Sequence, residues 1–382
     1  MRWTGFHRKI RPEMILPVLN EEKLSEGSGG EIFKCKIAQN QQTIVPAEEM
    51  LTDVKQKDQT VTLIRKRIKM VKRNDIKKEQ ASKKEAECLE FLRLLRHEHI
   101  IELLASYEYR DEHYLLFPFY PMDLEGFMSS EERFGDFSQN QTFYNALSGL
   151  ASAVEAVHNL NVSVEGLLLS RIGYHHDIRP KNVLVTPRTF ILTDFGLARL
   201  KVPDESSHTL WKNTVGDYIA PECMDEDFTH MDIGRSIDIW SFGCLVSEVA
   251  TYMEEGQTGV KQFRAQRRTT VTHQMIQNGY FFENNRLRAS ADDWLIRLST
   301  NPKDRGIRCL VECVRQMLQV EVDVRPRAAL ISSWLDYVNM KALYHSILEL
   351  LQCLDLDPLQ QNGLHSPYSR LDVWFEAISR VI

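Results

Sequence analysis

Three polar side chains lie close together in the stretch GYHHDIRPKNVLVTPRTFILTDFG. Asp177 and Asn182 fall in a polar, proline-containing loop, and Asp194 follows two short apolar runs, VLV at 183–185 and FIL at 190–192. Short apolar runs bounded by turn residues predict strands, so we expect the chain to fold back and to return Asp194 to the neighbourhood of Asn182. Two carboxylates and an amide oxygen at one point are suitable ligands for a hard cation such as Mg²⁺.

The composition predicts a folded protein with two lobes or domains. The chain has 382 residues, of which 43% are hydrophobic and 26% are charged, and its formal net charge is −6. This charge gives no general attraction to nucleic acid or anionic membranes, so we expect neither as a partner. Seven cysteines without paired spacing indicate reduced thiols. Because no apolar run has the length of a membrane span or a secretory signal, we expect a cytoplasmic protein.

The pattern of the chain changes near residue 120. Before it come three strand-like runs, GGEIFKCKI, TVTLIRKRI and HYLLFPF, and one helical stretch from about Asn74 to Leu95. After it helical periodicity dominates, and one predicted helix has an apolar face formed by Leu147, Leu150, Val154, Val157 and Leu160.

These patterns predict an α+β fold with a small sheet-rich lobe and a larger helical lobe. We place the small lobe at 14–118, the helical lobe at 119–340 and a helical tail at 341–382, with a hinge near 118–122. Two polar stretches, at 39–59 and at about 255–305, are predicted to be surface excursions.

The motifs resemble those of eukaryotic protein kinases and occur in the order found in that family. They are HxDxxxxN at 175–182, DFG at 194–196, APE at 220–222, DIWSFG at 238–243 and DVRP at 323–326. The resemblance implies a bilobal kinase fold, in which the DIWSFG helix anchors the catalytic loop and Arg325 pairs with Glu222 of the APE motif.

Phosphoryl transfer assigns a chemical role to each polar residue of the opening stretch. By the resemblance, Asn182 and Asp194 would hold Mg²⁺, and Asp177 would orient the acceptor hydroxyl or accept its proton. Arg179 would reach the transferred phosphate in place of the family's lysine. Alternatively, polar residues of these types cap turns.

The resemblance places the phosphate-binding loop at LSEGSGGEIFKCK. The family's three glycine positions fall on Ser25, Gly27 and Gly30, so the first glycine is replaced, and Gly29 stands where an aromatic residue is usual. Glycines there would let backbone N–H groups approach the phosphates of ATP. A glycine-rich hairpin turn is the alternative interpretation.

The family's phosphate-binding lysine would lie on the strand VTLIRKRIK. The alternation of apolar residues selects Lys66, with Arg65 and Lys69 as competitors. The glutamate that pairs with this lysine should follow on the next helix, where its usual position falls on Cys88. We therefore predict the adjacent Glu87, with Glu85 and Glu90 further away and surface ion pairs as the alternative role.

The adenine pocket is predicted where the two lobes join. Phe117 would be the gatekeeper, and the carbonyl of Pro118 and the N–H of Tyr120 would face the base. Proline retains its acceptor and therefore allows this. Asp123 would bond the ribose, or would cap the helix that starts at Leu124.

One departure concerns regulation, because His176 replaces the arginine that precedes the catalytic aspartate in many kinases. Histidine cannot form the two-pronged contact of arginine with phosphate. The activation segment contains four candidate phosphorylation sites, Ser206, Ser207, Thr209 and Thr214, but the arginine that would bind their phosphate is absent at position 176. Val215 occupies the position of a threonine that often contacts the catalytic aspartate in Ser/Thr kinases.

Two functional classes follow from these residues. The first is a kinase that uses ATP and Mg²⁺ and transfers phosphate to Ser/Thr hydroxyls of a protein substrate, as Pro180 and the YIAPE sequence favour. The second is a pseudokinase-type scaffold or signalling module, which would explain the changes at Ser25, Cys88, His176 and Val215. A regulatory partner is compatible with either class.

Overall fold

The structure is a computed structural model, and it describes residues 8–27, 30–38, 60–68, 88–89, 91–164, 167–201, 216–224, 234–270 and 277–353. The predicted excursion at 39–59, Glu87 and most of the predicted helix from Asn74 lie outside these residues. No helix within the described ranges combines the length and apolar character needed to cross a bilayer.

The small lobe is a six-stranded sheet with the strand order β1-β5-β6-β4-β3-β2. Its strands are β1 (Arg8–Ile10), β2 (Val18–Gly27), β3 (Gly30–Ala38), β4 (Thr60–Ile68), β5 (Ala105–Tyr109) and β6 (Glu112–Pro118). The three strand-like runs of the sequence are β3, β4 and β6, and all neighbours are antiparallel except β1 and β5. Strand β1 pairs with β5, so the sheet of the small lobe includes residues that precede the predicted start at 14.

The two faces of β4 meet different surroundings, as expected for a strand whose side chains alternate. Leu63 joins a small apolar cluster with Cys35. Ile68 packs in the main core with Cys88 and Leu89, which belong to the helix α1, described at 88–89 and 91–95. Helix α1 and the face of β4 that carries Ile68 therefore contribute to the same core.

The large lobe is mainly helical. Its helices are α2 (Leu124–Met128), α3 (Asn140–His158), α4 (Ser236–Arg267), α5 (Ala289–Thr300), α6 (Gly306–Met317) and α7 (Ala328–Cys353). Its strands are β7 (Met122–Asp123), β8 (Asn159–Val164), β9 (Leu167–Tyr174), β10 (Val183–Val185), β11 (Phe190–Leu192), β12 (Arg199–Lys201), β13 (Thr269–Thr270), β14 (Gln277–Asn278), β15 (Phe282–Glu283) and β16 (Arg286–Leu287).

Helix α3 lies at the centre of the large lobe. The predicted apolar face is buried, but Phe143, Tyr144 and Ala153 are buried as well, so α3 is enclosed on several sides. Leu160 is buried but belongs to β8 rather than to the helix, because α3 ends at His158.

The prediction of a surface excursion at 255–305 was wrong. Helix α4 runs through this region with a kink at Gly256, and Phe263, Phe281 and Trp294 are buried in the main core. Part of the polar character of this region belongs to an internal ion-pair network around Glu248. Arg267, only 1% exposed, bonds Glu248 at 2.6 Å.

The predicted boundary between the large lobe and the tail does not coincide with a break in the structure. Helix α7 continues through residues 340 and 341 without interruption. Ala342 and Tyr344 are buried beyond this point, so the start of the predicted tail belongs to the same helix as the end of the lobe.

Candidate active site

The predicted return of the chain is confirmed, since β10 and β11 form an antiparallel hairpin in which Val183 faces Leu192. The N–H of Thr193 donates to the carbonyl of Asn182 at 2.9 Å. Asp194, the next residue, therefore lies in the neighbourhood of Asn182, as the sequence predicted.

The catalytic loop is closed by hydrogen bonds among its own residues. The amide Nδ2 of Asn182 donates to the carbonyl of Asp177 at 2.8 Å and to its carboxylate Oδ2 at 2.7 Å. Arg179 Nε lies 3.2 Å from Asp177 Oδ1. Because Nδ2 of Asn182 faces Asp177, the amide oxygen is directed elsewhere and is suited to a cation.

The DIWSFG helix anchors this loop, as the resemblance implied. The buried carboxylate of Asp238, near the start of α4, accepts the backbone N–H groups of His175 at 2.7 Å and His176 at 2.6 Å. His158 Nε2 lies 2.9 Å from the same carboxylate. Burial opposes the charge of Asp238, but the His158 bond and the nearby histidines prevail and lower its pKa.

Lys66 reaches across from the small lobe to the DFG motif. Its Nζ lies 3.2 Å from Asp194 Oδ1. The positive charge of Lys66 lowers the pKa of Asp194, so the carboxylate is ionised at neutral pH. The side chain of Asp194 is 43% exposed, and its backbone φ of +62° turns it out of the strand direction, which leaves it accessible to a cation.

The competitor Arg65 does not take part in this site. Arg65 bonds Glu21 at 2.6 Å and stacks over the ring of Tyr114 at 4.5 Å, on the opposite face of β4 from Lys66. The other competitor, Lys69, lies outside the described residues. Among the described basic residues of β4, the structure thus brings Lys66 to the DFG aspartate.

The position of the family's helix glutamate is occupied by a buried cysteine. Cys88 is 3% exposed and belongs to the main core, as do Ile68 and Leu89. Glu87, together with Glu85 and Glu90, lies outside the described residues, so its pairing with Lys66 stays a prediction.

The glycine-rich segment is a hairpin between β2 and β3, with Gly27 opposite Gly30 and Ser25 opposite Ile32. Gly30 has a φ of +132°, and a Cβ there would lie 2.2 Å from the carbonyl oxygen of Arg67. Its lack of a side chain therefore serves the close approach of β3 to β4. Gly29 lies outside the described residues, and phosphate binding by this hairpin stays a prediction.

The join between the lobes has the predicted order. Strand β6 ends at Pro118, and β7 then begins at Met122. Phe117 and Tyr120 pack partly buried against the main core, and burial raises the pKa of Tyr120 to about 12. Asp123 Oδ1 accepts the N–H of Gly126 at 2.7 Å, which confirms the capping role; ribose binding stays a prediction.

The APE motif is tied to the large lobe by the predicted ion pair. Arg325 donates to the Glu222 carboxylate at 2.8 Å and 3.1 Å. His176 is buried: its ring lies 3.8 Å from that of Tyr174, and Nε2 lies 3.3 Å from the carbonyl of Gly234. The four predicted phosphorylation sites and Val215 lie outside the described residues.

Two features of the site region were absent from the sequence predictions. One is the hairpin of β8 and β9, which leads into the catalytic loop; the alternation in NLNVSV, followed by Glu-Gly, was its signal. The other is a network around the buried Glu248, to which Tyr218 donates at 2.7 Å and which Arg264 joins to Glu125. No sequence spacing signals these pairings.

The donor set fits a nucleotide-bound Mg²⁺ better than a free metal site. Asn182 and Asp194 supply one amide and one carboxylate, and within the described ranges no cluster of three or more His, Cys, Asp or Glu residues forms a metal site. Mg²⁺ commonly binds through one or two protein oxygens together with phosphates and water. The ionised and accessible carboxylate of Asp194, beside the cationic Lys66, meets that requirement.

Comparisons with known proteins agree with this architecture. Residues 19–333 match the family model described as protein kinase domain. The chain is 30% identical over 172 residues to Mitogen-activated protein kinase 8 of Oryza sativa subsp. japonica. This alignment covers 43% of the chain and 27% of the relative. It is also 30% identical over 172 residues to Mitogen-activated protein kinase 9 of Arabidopsis thaliana, covering 43% and 30%.

The matched regions therefore span less than a third of these curated relatives. The match to the family model, in contrast, extends over most of the chain and includes both lobes. With the motifs, the hinge and the ion pair of the APE motif in their expected places, the chain belongs to the protein kinase family.

Proposed function

We propose that this chain is a protein kinase that transfers the γ-phosphate of ATP to Ser or Thr hydroxyls of a protein substrate in the cytoplasm. The observation that carries the proposal is the contact of Lys66 with Asp194, at 3.2 Å, next to a catalytic loop in which Asp177, Arg179 and Asn182 contact one another. Charge neutralisation and positioning are the main requirements of phosphoryl transfer.

Each residue has a defined task in this mechanism. Asn182 and Asp194 would hold the Mg²⁺ that, when bound with ATP, neutralises the phosphates. Lys66 would bind phosphate oxygens, and Arg179 would stabilise charge on the transferred group. Asp177 Oδ2 would orient the acceptor hydroxyl and take its proton.

The nucleotide would bind between the lobes. The hairpin with Ser25, Gly27 and Gly30 would cover the phosphates. Pro118 and Tyr120 would face the adenine, and Glu87 would support Lys66. Asp123 uses Oδ1 for its cap, so its second oxygen would contact the ribose.

The proposed Ser/Thr acceptor and the proposed cytoplasmic location are supported by fewer observations. Pro180 and the YIAPE sequence are similar to Ser/Thr kinases, and the relatives found are named mitogen-activated protein kinases. Six cysteines in the described ranges are free thiols, as expected in a reducing compartment.

The test is transfer of labelled phosphate from ATP to a mixture of Ser/Thr-containing proteins, with Asp177→Asn as the inactive variant and Arg188→Ala as the matched control. Arg188 is 82% exposed and pairs with Asp136 on the surface, so its loss should leave the rate unchanged. Transfer by the wild type and the control, but not by Asp177→Asn, supports the proposal. Equal transfer by Asp177→Asn contradicts the assigned mechanism.

A scaffold is the second candidate, and the buried Cys88 at the helix glutamate position favours it. A thermal shift with ATP and Mg²⁺ separates the two candidates, because a ligand that binds the native state stabilises it by RT ln(1 + [L]/Kd). Stabilisation without transfer identifies the scaffold.

A further inference from the structure

The hairpin that precedes the catalytic loop is the centre of a small sheet in the large lobe. Strand β9 pairs with β8 on one side and with β12 on the other. It continues directly into His175, while β12 begins three residues after Gly196 of the DFG motif. Strand β9 is therefore linked to both motifs, to one by the chain and to the other by its pairing with β12.

The base of this hairpin is held firmly on helix α3. At Gly173 a Cβ would lie 2.3 Å from the carbonyl oxygen of Val157 and 2.7 Å from the side chain of Leu200. Only glycine allows such close approach of β9 to its neighbours. Arg171 lies two residues earlier on the same strand, so its side chain extends from a closely packed part of the backbone.

Arg171 contacts the helix of the other lobe. Its guanidinium carbon lies 5.1 Å from the centre of the Phe91 ring, within the range of a cation–π interaction. Phe91 lies on α1, next to Leu92, which is buried in the main core. The contact thus joins the strand that leads into the catalytic loop to helix α1.

This contact matters because α1 lacks a carboxylate at position 88. Cys88, Leu89 and Leu92 of α1 are buried in the main core, which also includes Ile68, two residues beyond Lys66 on the same face of β4. Apolar burial is not directional. The contact of Phe91 with Arg171 therefore adds a specific restraint on the orientation of α1.

We propose that Arg171 is a positioning residue, which holds α1 against the large lobe so that Lys66 meets Asp194 in the geometry needed for nucleotide binding. This inference rests on the proposed kinase function. Arg171 touches neither substrate nor cofactor and acts through Phe91 and α1.

The experiment compares Arg171→Ala with Arg171→Lys and with the control Arg188→Ala. We expect Arg171→Ala to lower kcat/KM for ATP about threefold to tenfold, which corresponds to a partly desolvated cation–π contact, with an unchanged KM for the acceptor protein. Arg171→Lys keeps the cation and should restore most of the loss. A loss of equal size for ATP and acceptor, or none, overturns the inference.

A double-mutant cycle with Phe91→Leu isolates the contact. Because both substitutions remove the same interaction, their combined effect on kcat/KM should be smaller than the product of the single effects. Multiplicative effects show that the two residues act independently and overturn the proposal.

Hydrogen exchange distinguishes failure of this inference from failure of the proposed function. If the wild type transfers no phosphate, the kinase proposal fails, and exchange of the amides at 91–95 still tests Arg171. Faster exchange in Arg171→Ala than in Arg188→Ala supports the positioning role. Equal exchange in the two variants refutes it.

Discussion

Replacement of Arg325 by alanine should destabilise the large lobe strongly, because this side chain is completely buried. Its exposed fraction is 0%, and that of its partner Glu222 is 13%. Besides the two bonds to Glu222, Arg325 donates to the carbonyls of Ser236 at 2.7 Å, Gln319 at 3.0 Å and Val320 at 3.3 Å. One residue thus joins the APE motif, the start of α4 and the loop after α6.

The expected loss of unfolding free energy is about 3 to 5 kcal/mol, the usual cost of removing one partner from a buried ion pair. The carboxylate of Glu222 would keep its charge without its neutralising partner, and three carbonyls would lose a donor. Removing both charges should cost less, since it leaves no uncompensated carboxylate. The double variant Glu222→Gln/Arg325→Met is therefore expected to be more stable than Arg325→Ala.

Urea denaturation followed by tryptophan fluorescence measures these free energies. Arg327→Ala is the matched control, because Arg327 is exposed on the same loop, and its loss should change stability by less than about 0.5 kcal/mol. A loss below about 1 kcal/mol for Arg325→Ala would show that the pair contributes little. A double variant less stable than Arg325→Ala would show that the uncompensated charge is not the cause.

Three further predictions follow from the site. Asp194→Asn should abolish phosphate transfer and Mg²⁺-dependent ATP binding with little change in melting temperature, because the carboxylate is 43% exposed; kinetics and calorimetry check this, and normal turnover would refute the metal role. His176 should make the protein less stable in acid. Burial, opposed by Asp238 and assisted by His158 and His175, lowers the pKa of His176 to about 4. The unfolded chain therefore binds one more proton than the folded chain between about pH 6.5 and 4, and stability falls as the pH drops through this range. The full loss of unfolding free energy is about 3 kcal/mol. The variant His176→Asn, in which asparagine tolerates the φ of +60°, should lose less stability across this pH range in urea denaturation. Identical pH profiles of the variant and the wild type would contradict the assignment. Phosphatase treatment should lower the transfer rate less than about tenfold, because the ring of His176 faces Gly234 and cannot bind a phosphate on the segment 202–215. A larger drop would show that another residue binds that phosphate.

Local signals were sufficient for the parts of the site that depend on neighbouring residues. The two strands at 183–185 and 190–192 were predicted to the residue, and the cap at Asp123 was one of the two roles that the sequence allowed. Apolar runs, turn residues and caps act over a few positions, so one sequence contains all the required information. Because side chains alternate on a strand, the sequence also distinguished Lys66, which contacts Asp194, from Arg65 on the opposite face; phosphate binding by Lys66 stays a prediction.

Longer-range burial could not be predicted in the same way. The region 255–305 looked like a surface segment because Arg264 and Arg267 are charged, whereas both contact Glu248, which is fully buried. A charged residue becomes compatible with the interior only through a partner distant in sequence. Composition therefore placed these arginines on the surface, and only the fold shows their pairing.

The two main departures from the family have a common physical consequence. Cys88 replaces a carboxylate with a side chain buried in the main core, and His176 replaces an arginine with a ring that contacts Tyr174 and Gly234. A switch requires a ligand that interacts differently with two states. A phosphate gains little from His176, because the buried ring presents no charge to it. The orientation of α1 and of the catalytic loop is therefore expected to depend on contacts between elements, such as that of Arg171 with Phe91.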